Sequence, residues 1–152
     1  MPRELDGKGE APATAAQAAP AVLVIDDDLA LLRSLAALFK AHDIPIATAR
    51  GGAAGLALYR RISPAVVLMD VPTQDGIEAI MQMRLERPEV KIIIMSAGGR
   101  IGHMQILDIA HKLGADAALR KPLDASELLA TICGMLDRLP GAAADPRQLE
   151  IS

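Results

Sequence analysis

The sequence predicts an α/β fold, a doubly wound, five-stranded parallel sheet with helices on both faces. Three observations carry that expectation. Short, continuous apolar runs recur at intervals of roughly two dozen residues, as strands buried on both faces require. Between them lie segments whose apolar residues follow helical spacing. The chain is 51% apolar yet has only Phe39 and Tyr59 as aromatics, so Ala, Val, Ile and Leu must build the core. That composition suits helices packed on a parallel sheet.

The elements follow in order. Residues 1–20 are rich in Ala, Pro, Gly and charge without a periodic apolar face, and read as a flexible tail. The first strand is expected over 22–25, and Leu31, Leu32, Leu35, Leu38 and Phe39 mark the helix after it, with Asp28 as its N-terminal cap. A second strand over 44–49 precedes a helix continuing from Gly55 to Ile62, which Gly51, Gly52 and Gly55 weaken. The third strand, 65–69, leads to a helix opened by Asp75-Gly76, marked by Ile77, Ile80, Met81 and Met83, and closed before Pro88. The fourth, 91–95, precedes a helix marked by Ile106, Leu107, Ile109, Ala110 and Leu113 and stopped at Gly114. The fifth, 116–120, is followed by Leu128, Leu129, Ile132, Met135 and Leu136 on a helix that Asp124 caps and Pro140-Gly141 ends. The domain therefore spans 21–139, and 140–152 reads as a loosely ordered C-terminal tail.

Alternating strands and helices imply right-handed crossovers and three layers. The flavodoxin-like order 2-1-3-4-5 is favoured because it sets strands one and three side by side. Those strands end in acids: Asp26-Asp27-Asp28 after the first and Asp70 after the third. The fourth ends at Ser96 and the fifth at Lys121-Pro122. Ligands of open parallel sheets sit just beyond the carboxyl ends of the strands.

Composition bounds the function. Sixteen basic and nineteen acidic residues leave a net charge of −3, which argues against general nucleic-acid binding. Cys133 is the only cysteine, so neither an internal disulfide nor a thiolate metal site is available, and it reads as a core residue. No apolar run reaches the ~20 residues of a membrane span. The Ala-rich start lacks the positive n-region of a signal peptide. A cytoplasmic location is expected.

Clustered carboxylates repel, at about 3 kcal/mol per charged pair for ~5 Å separation and an effective dielectric of ~20. Such a cluster implies a bound hard cation or a held proton. Carboxylates with a backbone carbonyl make Mg²⁺ the natural candidate. With Lys121 it would surround a phosphoryl group with positive charge, while Ser96 donates a hydrogen bond to a phosphoryl oxygen. Asp70 would then be an in-line nucleophile forming a mixed anhydride.

These motifs also match a family: VLVIDDD, VVLMD, IIIMSA and GADAALRKP, in order. Over residues 21–139 the chain resembles a bacterial receiver domain, the phosphoacceptor module of two-component response regulators. The resemblance implies that Asp26 and Asp27 hold the metal with Asp70, the phosphoacceptor. It implies a further metal ligand, from the main-chain carbonyl two residues beyond the phosphoacceptor, here that of Pro72. Ser96 becomes the switch hydroxyl, Lys121 the phosphate-facing lysine, and Pro122 its usual cis-peptide partner. The implied partners are a sensor histidine kinase or phosphotransfer protein and a downstream protein target. Neither nucleic acid nor membrane insertion is implied, and a monomer or weak dimer is expected.

The chain departs from the family pattern in three places. The loop after Asp70 is about two residues short, placing Pro72 two positions after the aspartate. Ala118 stands where an aromatic switch residue is usual, three before the lysine. The segment from Ser96 to Lys121 is about three residues longer than usual, through Gly98-Gly99-Arg100-Ile101-Gly102. Two readings stay open: a stand-alone receiver phosphorylated on Asp70, and a pseudo-receiver used as an unphosphorylated interaction module. A small-molecule enzyme is disfavoured, because acids at the end of the first strand repel phosphate without a metal. Asp28 and Asp75 read as helix-start residues, the methionines as core filler, and His42, His103 and His111 as solvated surface.

Overall fold

The computed structural model describes residues 20–71, 74–96 and 103–137. Five strands and five helices alternate among them. They are β1 (Val22–Ile25), α1 (Leu29–Ala41), β2 (Ile46–Ala49), α2 (Gly52–Ile62), β3 (Val66–Val71), α3 (Gln74–Glu86), β4 (Lys91–Ser96), α4 (His103–Leu113), β5 (Ala117–Arg120) and α5 (Ala125–Asp137). The strands are parallel and ordered β2-β1-β3-β4-β5, as expected. Pro72, Thr73, the Gly-rich segment 97–102 and the stretches 1–19 and 138–152 lie outside the described residues.

Alternation along each strand divides the core in two. Leu23, Ile25, Val67, Met69, Ile92 and Ile94 pack with Tyr59 of α2, Ile80 and Met83 of α3 and Ala110 of α4. Val22, Val24, Leu68, Ile93 and Met95 pack with Leu35 and Phe39 of α1 and Leu128 and Ile132 of α5. Helices α2 to α4 therefore cover one face, and α1 and α5 the other. Ile92, Ile93 and Ile94 are fully buried, each contributing about 1.5–3 kcal/mol of transfer free energy.

The strand bounds differ from expectation for physical reasons. β2 starts at Ile46 and not at residue 44. The Ile44 N–H turns back to the Phe39 carbonyl at 2.9 Å, and Pro45 has no N–H to give a ladder. β3 runs on through Asp70 and Val71, which pair with Met95 and Ser96. Asp70 is thus held within a strand and does not merely follow one.

Local caps are as the sequence predicts. The Leu31 N–H donates to Asp28 Oδ1 at 3.2 Å, and the Glu127 N–H to Asp124 Oδ1 at 2.9 Å. The glycines before α2 have a tertiary explanation in place of a local weakness. A Cβ on Gly52 would lie 2.5 Å from the Asp75 carbonyl oxygen, and one on Gly55 would collide with the Ile25 side chain. These absent side chains let α2 sit directly on β1 and against the start of α3.

Two expectations about core residues change. Met69, Met83 and Met95 are buried as expected, but Met81 is 54% exposed. Cys133 is half-buried at the edge of the α1/α5 layer, and burial raises its thiol pKa.

Candidate functional site: an acid cluster at the sheet edge

β1 and β3 are neighbours, with Ile25 opposite Met69, so the residues that follow each, Asp26 and Asp70, arrive side by side. Asp26 is 2% exposed. A carboxylate so buried needs partners, and it has them. Its Oδ1 accepts the Asp28 N–H at 2.9 Å, and its Oδ2 accepts from Lys121 Nζ at 2.5 Å. Lys121 also donates to Asp70 Oδ1 at 3.2 Å. Lys121 reaches both acids although β5 is the sheet's far edge, because it follows the last residue of that strand. Its own N–H is tied to the Ser96 carbonyl at 2.7 Å, and the Lys121–Pro122 peptide is cis, as the family pattern implies.

The electrostatics separate the groups. Burial raises the Asp70 pKa, the neighbouring Asp26 carboxylate raises it further, and the Lys121 ammonium offsets only part of the rise. Burial draws Lys121 down, but its hydrogen bond to Asp26 and the charges of Asp70 and Asp26 leave it above its ordinary value. Asp70 is therefore an acid whose charge is costly without further positive charge beside it.

One oxygen from each of Asp26, Asp27 and Asp70 lies within 4.8 Å of the others. This set of hard oxygen donors, with Asp27 exposed, fits a divalent cation that keeps part of its water shell. The carbonyl of Pro72, the fourth expected ligand, lies outside the described residues. Ser96 is 1% exposed and sits at the same edge, opposite Val71 on one side and Arg120 on the other. Of the expected residues, Asp26, Asp27, Asp70 and Lys121 thus converge directly, with Ser96 one register step from Asp70.

Two neighbours escaped the sequence reading. Asp75, taken as opening its own helix, also accepts the Gly52 N–H at 2.7 Å and the Ala53 N–H at 3.3 Å. It caps α2 from 23 residues away, where the N-cap, Gly51, has no side chain to do so. Arg50 follows the last residue of β2, so the strand-end rule that located the acids also points to it. Arg50, Asp26, Asp27, Asp70 and Asp75 are among the residues that line a cleft of about 180 Å³. Asp28 stays a cap and His42 is exposed, with Nδ1 3.0 Å from the Leu38 carbonyl, so neither joins the site.

The family described as "Response regulator receiver domain" matches residues 22–133. The chain belongs to the response regulator receiver family. Among this receiver's relatives is the photosynthetic apparatus regulatory protein RegA of Rhodovulum sulfidophilum, 30% identical over 84% of this chain and 69% of the relative. The chemotaxis protein CheY of Listeria monocytogenes is 31% identical over 71% of this chain and 91% of its own length. The Francisella response regulator 1452 receiver domain superposes with a TM-score of 0.67 at 27% identity, covering 76% of this chain and 95% of that one. Receivers are signalling domains that exchange phosphoryl groups with kinases or phosphotransfer proteins and contact downstream targets. No helix among the described residues is long and apolar enough to cross a membrane.

Proposed function

We propose that Asp70 is the phosphoacceptor of this receiver, taking a phosphoryl group from the phosphohistidine of a sensor kinase or phosphotransfer protein. The observation that carries this reading is Lys121 bridging Asp26 and Asp70 while Asp27 completes a three-acid cluster. Asp26, Asp27 and Asp70 would hold Mg²⁺, together with the Pro72 carbonyl. When bound, the ion supplies positive charge to the phosphoryl oxygens.

A carboxylate oxygen of Asp70 attacks phosphorus in line with the leaving group. The new O–P bond forms as the P–N bond to the donor histidine breaks, the electron pair stays on that nitrogen, and the imidazole leaves neutral because its other ring nitrogen carries a proton. β3 fixes the Asp70 backbone during attack, since Asp70 pairs with Met95 of β4 and the preceding Met69 with Ile25 of β1. Once Asp70 is a mixed anhydride its own carboxylate charge is gone, and Lys121 is free to pair with a phosphoryl oxygen. The Ser96 hydroxyl, one register step away, would donate to another. The group adds a charge of about −1.5 to −2, by analogy with phosphoserine. Ala118 offers no ring to follow Ser96 inward, so the output starts from the Ser96 end of β4 and is read by a protein target.

The test is phosphate incorporation. The protein is incubated with acetyl phosphate and Mg²⁺, and acid-labile mass is compared between wild type and Asp70→Asn. An Asp70-dependent gain of one phosphoryl group supports the reading, and its absence refutes it in favour of an unphosphorylated interaction module. Mg²⁺ titration of Asp27→Ala reports separately on the acid pocket, where weakened binding is expected.

A further inference from the structure

We propose that Arg50 is the cation that receives the phosphodonor, its guanidinium engaging the phosphoryl oxygens at the mouth of the cleft and setting the affinity for the donor. This rests on the phosphoacceptor reading of Asp70. Arg50 reaches the site through sheet register: Ala49 pairs with Ile25, and the residues after each, Arg50 and Asp26, emerge at one edge. Arg50 is exposed and lines the cleft together with Asp26, Asp27 and Asp70. Lys121 is not among the cleft-lining residues, and its Nζ is committed to Asp26 and Asp70. Among the described residues that line the cleft, Arg50 is therefore the positive group that an incoming anion meets.

Among the described residues Arg50 is also largely uncommitted. Nη2 donates to the Asp27 main-chain carbonyl at 3.4 Å, its only polar partner among the described residues. A guanidinium carries five donors in a planar fork, so most remain available beside three carboxylates that it does not pair. The next two residues, Gly51 and Gly52, put no side chain in the way. The fork suits two oxygens of one phosphoryl group, which a lysine ammonium meets only as a point charge. A small acyl phosphate and a phosphorylated histidine present that same group.

A cation here has effects of opposite sign on the two ligands of the cleft. It attracts the anionic donor and repels the divalent metal, whereas a residue that merely shapes the cleft would help both. The experiment measures Mg²⁺ affinity by calorimetry and the acetyl phosphate concentration giving half-maximal phosphorylation at saturating Mg²⁺. Wild type is compared with Arg50→Ala and Arg50→Lys. In Arg50→Ala, half-saturation by donor rises about three- to tenfold, the size expected for one partly solvated charge contact. The maximal rate changes less than about twofold, and Mg²⁺ affinity is unchanged or slightly tighter. Arg50→Lys recovers part of the donor affinity. An unchanged donor half-saturation in Arg50→Ala, or a parallel weakening of Mg²⁺ and donor, overturns the proposal. Wild type that binds Mg²⁺ yet gains no phosphate overturns the phosphoacceptor reading instead. Arg50 is then judged on equilibrium binding of acetonylphosphonate, a donor isostere that cannot transfer, to the Mg²⁺-loaded protein. Loss of that binding in Arg50→Ala sustains its role as the anion contact, and no loss refutes it.

Discussion

Removing the Asp75 carboxylate tests whether α2 is capped from a distance. Asp75 Oδ2 accepts a short bond of 2.7 Å from Gly52 N–H and a longer one of 3.3 Å from Ala53 N–H. Gly51 at the N-cap supplies no alternative acceptor. Loss of an N-terminal cap costs about 0.5–2 kcal/mol, and loss of a negative charge near the helix start about 0.3–1 kcal/mol. With Asp75 solvent-exposed, the lower half of each range applies, about 1 and about 0.5 kcal/mol, and Asp75→Ala should destabilise the domain by about 1.5 kcal/mol. That corresponds to a fall in Tm of about 5–8 °C for a domain of this size. Asp75→Asn keeps an acceptor and loses only the charge, so it should cost about 0.5 kcal/mol. Urea unfolding gives the free energies, and amide exchange by NMR gives the location. The Gly52 and Ala53 amides should exchange faster in Asp75→Ala while those of Leu31 and Glu127, capped by Asp28 and Asp124, stay unchanged. Unaltered exchange at Gly52 and Ala53 would refute the distant cap, whatever the stability change, because Asp75 also lies in the first turn of α3.

Three further outcomes are expected. In metal-free protein the raised pKa of Asp70 means that the folded state holds its proton more tightly than the unfolded chain. That contribution to stability is present at low pH and is lost as pH rises through the raised folded value. Asp70→Asn should therefore melt above wild type at pH 7 without Mg²⁺, with the advantage shrinking toward pH 3, as thermal melts across pH would show. Gly→Ala substitutions in two helices should have opposite signs. Gly52→Ala drives a Cβ to 2.5 Å from a backbone oxygen and costs at least 1–3 kcal/mol, whereas Gly134→Ala in α5 meets nothing within 4 Å and gains about 0.5–1 kcal/mol, both read by denaturant midpoints. Arg84 donates to the Pro88, Val90 and Gly114 carbonyls and to Asp116, over 2.6–3.0 Å. Arg84→Ala should cost about 2–4 kcal/mol and speed amide exchange at Ile92, whose N–H also depends on Asp116.

Much of the site was legible because one rule located it. Apolar runs ending in Asp26, Asp70, Ser96 and Lys121 mark strand ends, and a parallel sheet brings its strand ends to one edge. Caps such as Asp28 and Asp124 were equally legible, since donor and acceptor are three residues apart. The same rule applied to the second strand reaches Arg50, but that strand is weakly marked, with only Ala49 buried in Ile46–Ala49. The extent of β3 was underestimated because an aspartate inside a strand looks like the residue that ends it.

The chain's own pattern was sufficient for the class of fold and for naming the acids and the lysine that meet; the sheet order it only favoured, through the acids that end strands one and three. These follow from apolar spacing and from which residues terminate each run, and both are local. Sheet assembly was needed for Asp75 to cap α2, for Gly52 and Gly55 to become close-approach positions, and for Arg50 to face the acid cluster. Each joins residues twenty or more positions apart, and nothing in the sequence near either partner says that the two will meet. A carboxylate next to a glycine reads as a helix start, and a glycine pair reads as a weak helix, until packing brings one against the other.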